Sequence, residues 1–181
     1  AAYKQAVDYI NAALADKSSA EYQRLIEICI TYTTGLTEEQ IVSALDNIVY
    51  KFSDDNITGS LDDLVTDIAD LESNLANMGA ITTDIADLGF SSSTEFAEML
   101  VDDSYLTQAV NGEATNVGNV SLTVTAITGD VHQIGIRVAQ ELGYFEQYGL
   151  NVNVRSVANG GAVALDILSG NCQFALLGAP P

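Results

Sequence analysis

Positive charge is scarce in this chain. Six Lys and Arg residues stand against 25 Asp and Glu, for a net charge of −19. No Lys or Arg occurs between Lys51 and Arg137, while acidic residues continue throughout. Such a field repels a phosphate backbone, so nucleic acid and anionic membrane surfaces are poor partners. The acidic residues read first as a solvated surface that aids solubility; a salty or extracellular setting also fits. Metal-binding residues are just as few. One histidine and two cysteines offer three N/S ligands at unsuitable spacing, which excludes a zinc site. Cys29 and Cys172 lie far apart and outside any CxxC. Two buried thiols are the first expectation, and one long-range disulfide is the alternative. No apolar run approaches the ~20 residues that span a bilayer. No basic n-region with an apolar stretch opens the chain. "AAYKQAVDYI" reads as a helix entered midway, so the expectation is a mature, excised or truncated piece, and a missing leader says little about location.

What is present is a globular composition: 181 residues, 48% hydrophobic, enough for one core of ordinary size. Residues 1–110 read as helices. Ala6, Val7, Ile10, Ala13 and Leu14 share one face of the first, and Tyr22, Leu25, Ile26, Cys29 and Ile30 share one face of the second. Gly35 marks its stop. Thr37 with Gln40 forms a capping-box pattern before the stripe Ile41, Ala44, Leu45 and Ile48. A fourth helix starts at Ser60 as N-cap, with Asp62 and Asp63 in its first turn. It carries Leu61, Leu64, Ile68, Leu71 and Leu75, and stops at Gly79. Residues 82–90 connect to one or two shorter helices, and the stripes read as core faces. "SDDN" at 53–56 lacks the loop Gly and terminal Glu of an EF-hand, so a polar turn is expected there and not a calcium site.

Residues 111–120, "NGEATNVGNV", read as a Gly/Asn-rich linker. The composition then changes. "SLTVTAIT" is β-rich, "VHQIGIRVAQELG" is helical, "LNVNVRSVA" alternates as a strand, "GAVALDILSG" is a small-residue helix, and "CQFALLG" suits a strand buried on both faces. The expected fold class is therefore α/β. A helical half packs on a small three-stranded parallel βαβαβ sheet of order 2-1-3 over residues 121–181. In "ELGYFEQYGLNVNV", Gly143 and Gly149 permit two tight turns, and Tyr144 and Phe145 read as cover for the core in preference to a stacking surface.

Open α/β sheets bind ligands at the carboxyl ends of their strands. The loops there supply Thr128, Gly129 and His132 after the first strand, Asn159, Gly160 and Gly161 after the second, and Gly178 and Ala179 after the third. Two of these loops open helices, whose first amides attract anions without a basic side chain. No GxGxxG or GxxxxGK[ST] supports a dinucleotide or triphosphate site. A nucleophile elbow is also missing, and nothing marks Cys172 as activated. His132 reads more readily as a satisfied or exposed polar residue than as a ligand contact.

These residues resemble a known group. His132, "VAQELGYFEQYGLNV", Gly160–Gly161, "LSGNCQFALLG" and the following Ala-Pro are similar to the start of a nitrate/sulfonate/taurine-type substrate-binding protein of ABC importers. That group is related to the thiamine-pyrimidine-synthase-like proteins. The resemblance covers about a third of the chain. It implies one lobe of a periplasmic-binding-protein-like fold, a small anion or small organic ligand, a permease partner, a periplasmic or cell-surface location, no cofactor and no catalysis. Gln173 stands where the family pattern has Asp, and the cysteine-rich motif of the pyrimidine synthases is absent. More weakly, "AAYKQAVDYINAAL", "TGLTEEQIVSAL" and "DLGF…FAEMLVDDSYL" resemble the C-terminal helices of such a protein, which suggests a tandem-array piece or a permuted lobe. The competing expectations are a structural or interaction module that keeps the fold without a ligand and, last, an enzyme using His132 and Cys172. Two open sheet edges would also allow a homodimer or a segment swap.

Overall fold

The computed structural model describes residues 1–50, 60–102 and 104–178. In chain order its elements are α1 (Ala2–Ala15), α2 (Ala20–Tyr32), α3 (Glu38–Asn47), α4 (Ser60–Asn77), α5 (Ser93–Leu100), α6 (Ser104–Val110), β1 (Val120–Ile127), α7 (Ile134–Glu141), α8 (Tyr144–Gln147), β2 (Leu150–Val157), α9 (Gly160–Leu168) and β3 (Phe174–Ala175). They form two compact units. One takes Ala1–Ser53 and Glu113–Pro181, the other Asp54–Gly112. The division falls inside the 1–110 helical segment and inside the 111–120 linker. Composition marks where helix gives way to strand, whereas compactness follows which apolar faces meet.

The larger unit is α/β. Its three strands are parallel in the order β2-β1-β3, as the βαβαβ pattern predicts. β1 and β2 pair from Val120↔Leu150 to Ile127↔Val157. Alternate residues face opposite sides of a sheet. Val124, Ala126, Val152 and Val154 therefore face one way and join Ile134, Val138, Ala139 and Phe145 of α7 and α8 in the core. Small residues let α1 approach closely: Ala2 and Ala6 are buried, and a Cβ at Gly135 would stand 3.2 Å from the Tyr3 ring. α2 and α3 complete the layer with Leu25, Ile28, Cys29, Ile41 and Leu45. Thr37 and Gln40 make the expected capping box. On the other face lies α9, anchored by buried Asp166. That carboxylate accepts from Thr125 Oγ1 at 2.8 Å and meets Arg155 Nε at 3.1 Å. Asn171 Nδ2 also donates to it, so the buried charge is well partnered.

The aromatic junction is core cover. Gly143 adopts φ +70° and ends the helix, and Phe145 of the single-turn α8 is buried. Gly149 is required twice over. Its φ is +72°, and a Cβ there would stand 1.8 Å from the Gly118 carbonyl oxygen. Residues 111–120 are thus more than a spacer where they meet this turn. Val117 N–H donates to Tyr148 O at 3.0 Å, Val120 N–H to Gly149 O at 2.9 Å, and Asn116 Nδ2 to Gln147 O at 3.0 Å.

Three expectations need correction. Ile30 is 48% exposed while Ile28 is buried, because α2 has neighbours in α1, α3 and α7 and its buried arc centres on Leu25 and Cys29. "CQFALLG" is not a doubly buried strand. Only Phe174 and Ala175 join the ladder, Phe174 is 59% exposed, and among the described residues no strand pairs beyond β3. Gln173 accounts for some of that shortness: its N–H donates to Thr123 O at 3.0 Å, and its side-chain Oε1 takes the Thr123 N–H at 2.8 Å in place of a backbone partner. In the smaller unit, α4 turns Ala69 and Glu72 inward and leaves Leu64 exposed, so its buried arc is rotated away from the leucine stripe.

The smaller unit is helical, with α4 against α5. Asp84 caps a 3-10 turn at Ile85–Leu88 by accepting from Ala86 N–H at 2.9 Å. Phe90 and Phe96 meet edge to face at 5.3 Å. The polar turn at 53–56 and the side chains of Ser60, Leu61, Asp62 and Asp63 lie outside the described residues. No helix among the described residues is long and apolar enough to cross a membrane.

Candidate functional site

The loop after β1 is shaped by its own side chains. Asp130 Oδ1 accepts from His132 N–H at 2.9 Å and caps the turn Val131–Gln133. Gln133 Oε1 reaches back to Ile127 N–H at 2.8 Å. Thr128 donates twice to Val157 O, from its N–H at 2.8 Å and its hydroxyl at 3.0 Å. The carboxyl ends of β1 and β2 are thereby tied together. Beside them, on the α7 face, is a small hollow lined by Tyr32, Thr33, Gly129, Gln133, Arg137 and Ser156, among others. It gives about 20 Å³ to the centre of a water-sized group, enough for about one such group.

Arg137 is the cationic member of this lining; Asp130, whose carboxylate caps its own turn, is the acidic one. The Arg137 guanidinium donates to Gln140 Oε1 at 3.0 Å, to Ser156 Oγ at 2.7 Å and to Val154 O at 3.3 Å. It stacks 4.6 Å from the centre of the Tyr32 ring. Glu141, the nearby carboxylate, is taken up elsewhere: Tyr32 Oη donates to it at 2.6 Å and Arg24 Nη2 at 2.9 Å. That hydrogen bond to Glu141, followed by burial, raises the Tyr32 pKa. Desolvation lowers the Arg137 pKa, but a guanidinium remains charged at any physiological pH. The neighbours that Arg137 does bond are thus neutral, and a partly desolvated cation beside neutral hydrogen-bonding groups attracts an anion.

Arg137 has a second, structural task. The carbonyls of Val152 and Val154 point outward from edge strand β2. Arg137 meets the second, and Gln140 Nε2 meets the first at a longer 3.5 Å. Side chains therefore occupy one of the two sheet edges that the strand pattern left open.

Of the residues expected to bind a ligand, the structure brings Gly129 alone to this hollow. Thr128 is spent on tying the strands together. His132 turns to solvent, with its side chain 75% exposed and Nδ1 at 3.0 Å from Asp130 Oδ1. Asn159 caps α9 by accepting from Ala162 N–H at 3.0 Å, which places Gly160 and Gly161 at the start of the helix on the opposite face. The first amides of a helix have no partner within it. Gly178 is exposed beyond β3, and Ala179 lies outside the described residues. The sequence reading missed Arg137, Gln133, Ser156 and Tyr32. Arg137 carried a signal, as the first cation after Lys51 and the lone charge within "VHQIGIRVAQ". Tyr32 carried none, since it comes from a helix far away in sequence.

Both cysteines are free and buried, so they form no disulfide. Burial pushes the Cys29 thiol up to about 12, which leaves it protonated and inert near neutral pH. Tyr50 is buried too; its hydroxyl donates to Val131 O at 2.7 Å, and burial raises its pKa. Among the described residues no group of three His, Cys, Asp or Glu is placed to hold a metal ion. Comparison with protein-family models, curated proteins and solved structures finds no match to this chain.

Proposed function

We propose that this chain is a solute-binding module of an ABC importer, working outside the cytoplasmic membrane on a small anion or small organic molecule. The observation that carries this reading is the Arg137 hollow at the carboxyl ends of β1 and β2, where open α/β sheets take their ligands. Arg137 and Ser156 supply donors from the α7 side. The opening amides of α9, at Gly160 and Gly161, supply donors from the other. The resemblance of residues 124–181 to the start of such a binding protein agrees with that geometry. The role asks for binding and closure, with no catalytic step. A hollow this small grips part of a ligand, and a facing lobe would supply the remaining burial. Delivery to a membrane permease follows from the same reading.

The test is a thermal-shift panel of nitrate, methanesulfonate, taurine, bicarbonate and a pyrimidine, run on the chain and on Arg137→Gln. A ligand of the folded state raises the midpoint by mass action. The expected result is a rise with one of the anions that Arg137→Gln abolishes. No rise with any of them, or an equal rise in the variant, overturns the reading and favours a module that keeps this fold for protein contacts.

A further inference from the structure

The smaller unit holds a buried carboxylate with nothing positive of its own to face. Glu72 on α4 is 8% exposed. It lines an open hollow of about 330 Å³ together with Thr82, Thr83, Asp84, Ile85 and Ser93. Every charged residue in 54–112 is acidic. Asp84, the second carboxylate at the hollow, is engaged with the backbone of its own turn and adds negative field. A carboxylate withdrawn from water is costly unless a cation or several donors attend it. Asp166 in the larger unit shows the attended case, with Arg155, Thr125 and Asn171 around it.

We propose that this hollow binds an organic cation, an ammonium or guanidinium group, with Glu72 as its charge partner. The rest of the lining fits such a ligand. Thr82, Thr83 and Ser93 carry hydroxyl oxygens that accept from N–H donors. Ile81, Ile85 and Ala76 offer apolar surface to a carbon chain. The size lies at the lower end of small-molecule sites. A bare metal ion is the poorer fit, because no cluster of three metal-binding side chains occurs among the described residues. The strongly acidic surround draws any cation toward the unit and raises its local concentration. The cation can arrive as a free amine or as a Lys or Arg side chain of another protein.

The experiment is an amide NMR titration of the full 15N-labelled chain at fixed ionic strength. The probes are n-butylammonium chloride, n-butanol as its neutral counterpart, and lysine blocked at both ends. Butylammonium should move the amides of Ser73, Thr82, Thr83 and Ser93 saturably, and butanol should not. Glu72→Gln should weaken binding by about tenfold or more, the factor expected when a charge partner is lost. Thr83→Val, which keeps the carboxylate, should weaken it less. Tighter binding of butylammonium than of blocked lysine supports the site with a free amine as its ligand, and equal or tighter binding of lysine supports it with a protein side chain. Any of these results overturns the site: the same shifts with butanol, unchanged affinity in Glu72→Gln, or non-saturating shifts spread over the acidic surface. Loss of folding in Glu72→Gln also overturns it, because the carboxylate would then be a structural acceptor.

Discussion

The larger and smaller units are both rich in amphipathic helices, yet they bury very different things. Among the described residues all the largest fully buried side chains, including Ile10, Leu25, Ile28, Ile41, Leu45 and Val138, lie in the larger unit. Among the described residues the smaller unit buries Ala69, Glu72 and Ala97, and it leaves Met78, Leu88, Met99, Leu100 and Tyr105 exposed. Charge follows the same split. Arg24, Arg137 and Arg155 of the larger unit sit in ion pairs or stacked contacts, whereas residues 54–112 contain acid alone. An apolar stripe is therefore a necessary condition for a core and not a sufficient one. The sheet gives α7 and α8 a broad flat apolar surface on which to bury their stripes, and α1 and α2 then cover α7. Helices without such a floor meet each other along narrower seams.

This contrast can be broken most sharply in the larger core. Leu25→Ala should cost about 3 kcal/mol, because it opens a cavity at a position with no exposure. Leu100→Ala in the smaller unit, at a half-exposed site, should stay within about 0.5 kcal/mol. Urea melts read at probes in each unit compare the two, and equal losses would show that one core serves both. Next comes Gly149→Ala. A side chain at φ +72° that also meets the Gly118 carbonyl should destabilise the larger unit by about 2 kcal/mol or more and release residues 116–118 from the turn. Hydrogen exchange at Val117 and Val120 reads that release directly, and retained protection would contradict it.

Alkali sharpens the comparison from another side. The Cys29 thiol is raised from 9.0 to about 12 in the folded chain. Above pH 9 the unfolded chain therefore loses a proton that the folded chain keeps. Stability from this group is complete below pH 9 and drains as pH climbs toward 12, by about 1.4 kcal/mol per pH unit at most. Tyr3 and Tyr50, raised by burial, push the same way. Cys29→Ala should flatten the alkaline slope of the larger unit; an unchanged slope would mean that the thiol does not control it. The smallest effect expected is that of salt. Going from about 0.05 to about 1 M NaCl shortens the screening length to roughly 3 Å. This should raise the melting midpoint of the smaller unit by a few degrees, where like charges repel, and change the larger unit less. A greater gain in the larger unit would reverse the assignment of repulsion.

Legibility differed between the fold and the site for a physical reason. The strand order, the capping box at Thr37, and the roles of Gly143 and Gly149 were all readable, because each depends on local chemistry or on a short crossover. The ligand-binding reading selected residues by loop position at the carboxyl ends of the strands. Thr128 spends its hydroxyl on the Val157 carbonyl of β2, and Asn159 spends its side chain on the first turn of α9. The positive charge of the lining comes instead from Arg137 on the flank of α7, stacked on Tyr32 from α2. The short β3 was misread for a similar reason: burial on both faces depends on neighbours, and "CQFALLG" cannot report whether it has them.

By itself the sequence determined the α/β class, the parallel β2-β1-β3 order, the acidic field and the glycines that the turns require. Those features follow from periodicity, charge and backbone sterics, which act over a few residues. Tertiary structure alone decided that α1–α3 join the sheet and that Asp166 is buried among partners while Glu72 is buried in a unit whose residues 54–112 hold no cation. It also decided that Arg137 both closes an edge and charges a hollow. Each of these turns on which surfaces meet across long stretches of chain, and desolvation, the term that makes a buried charge matter, exists only once they have met.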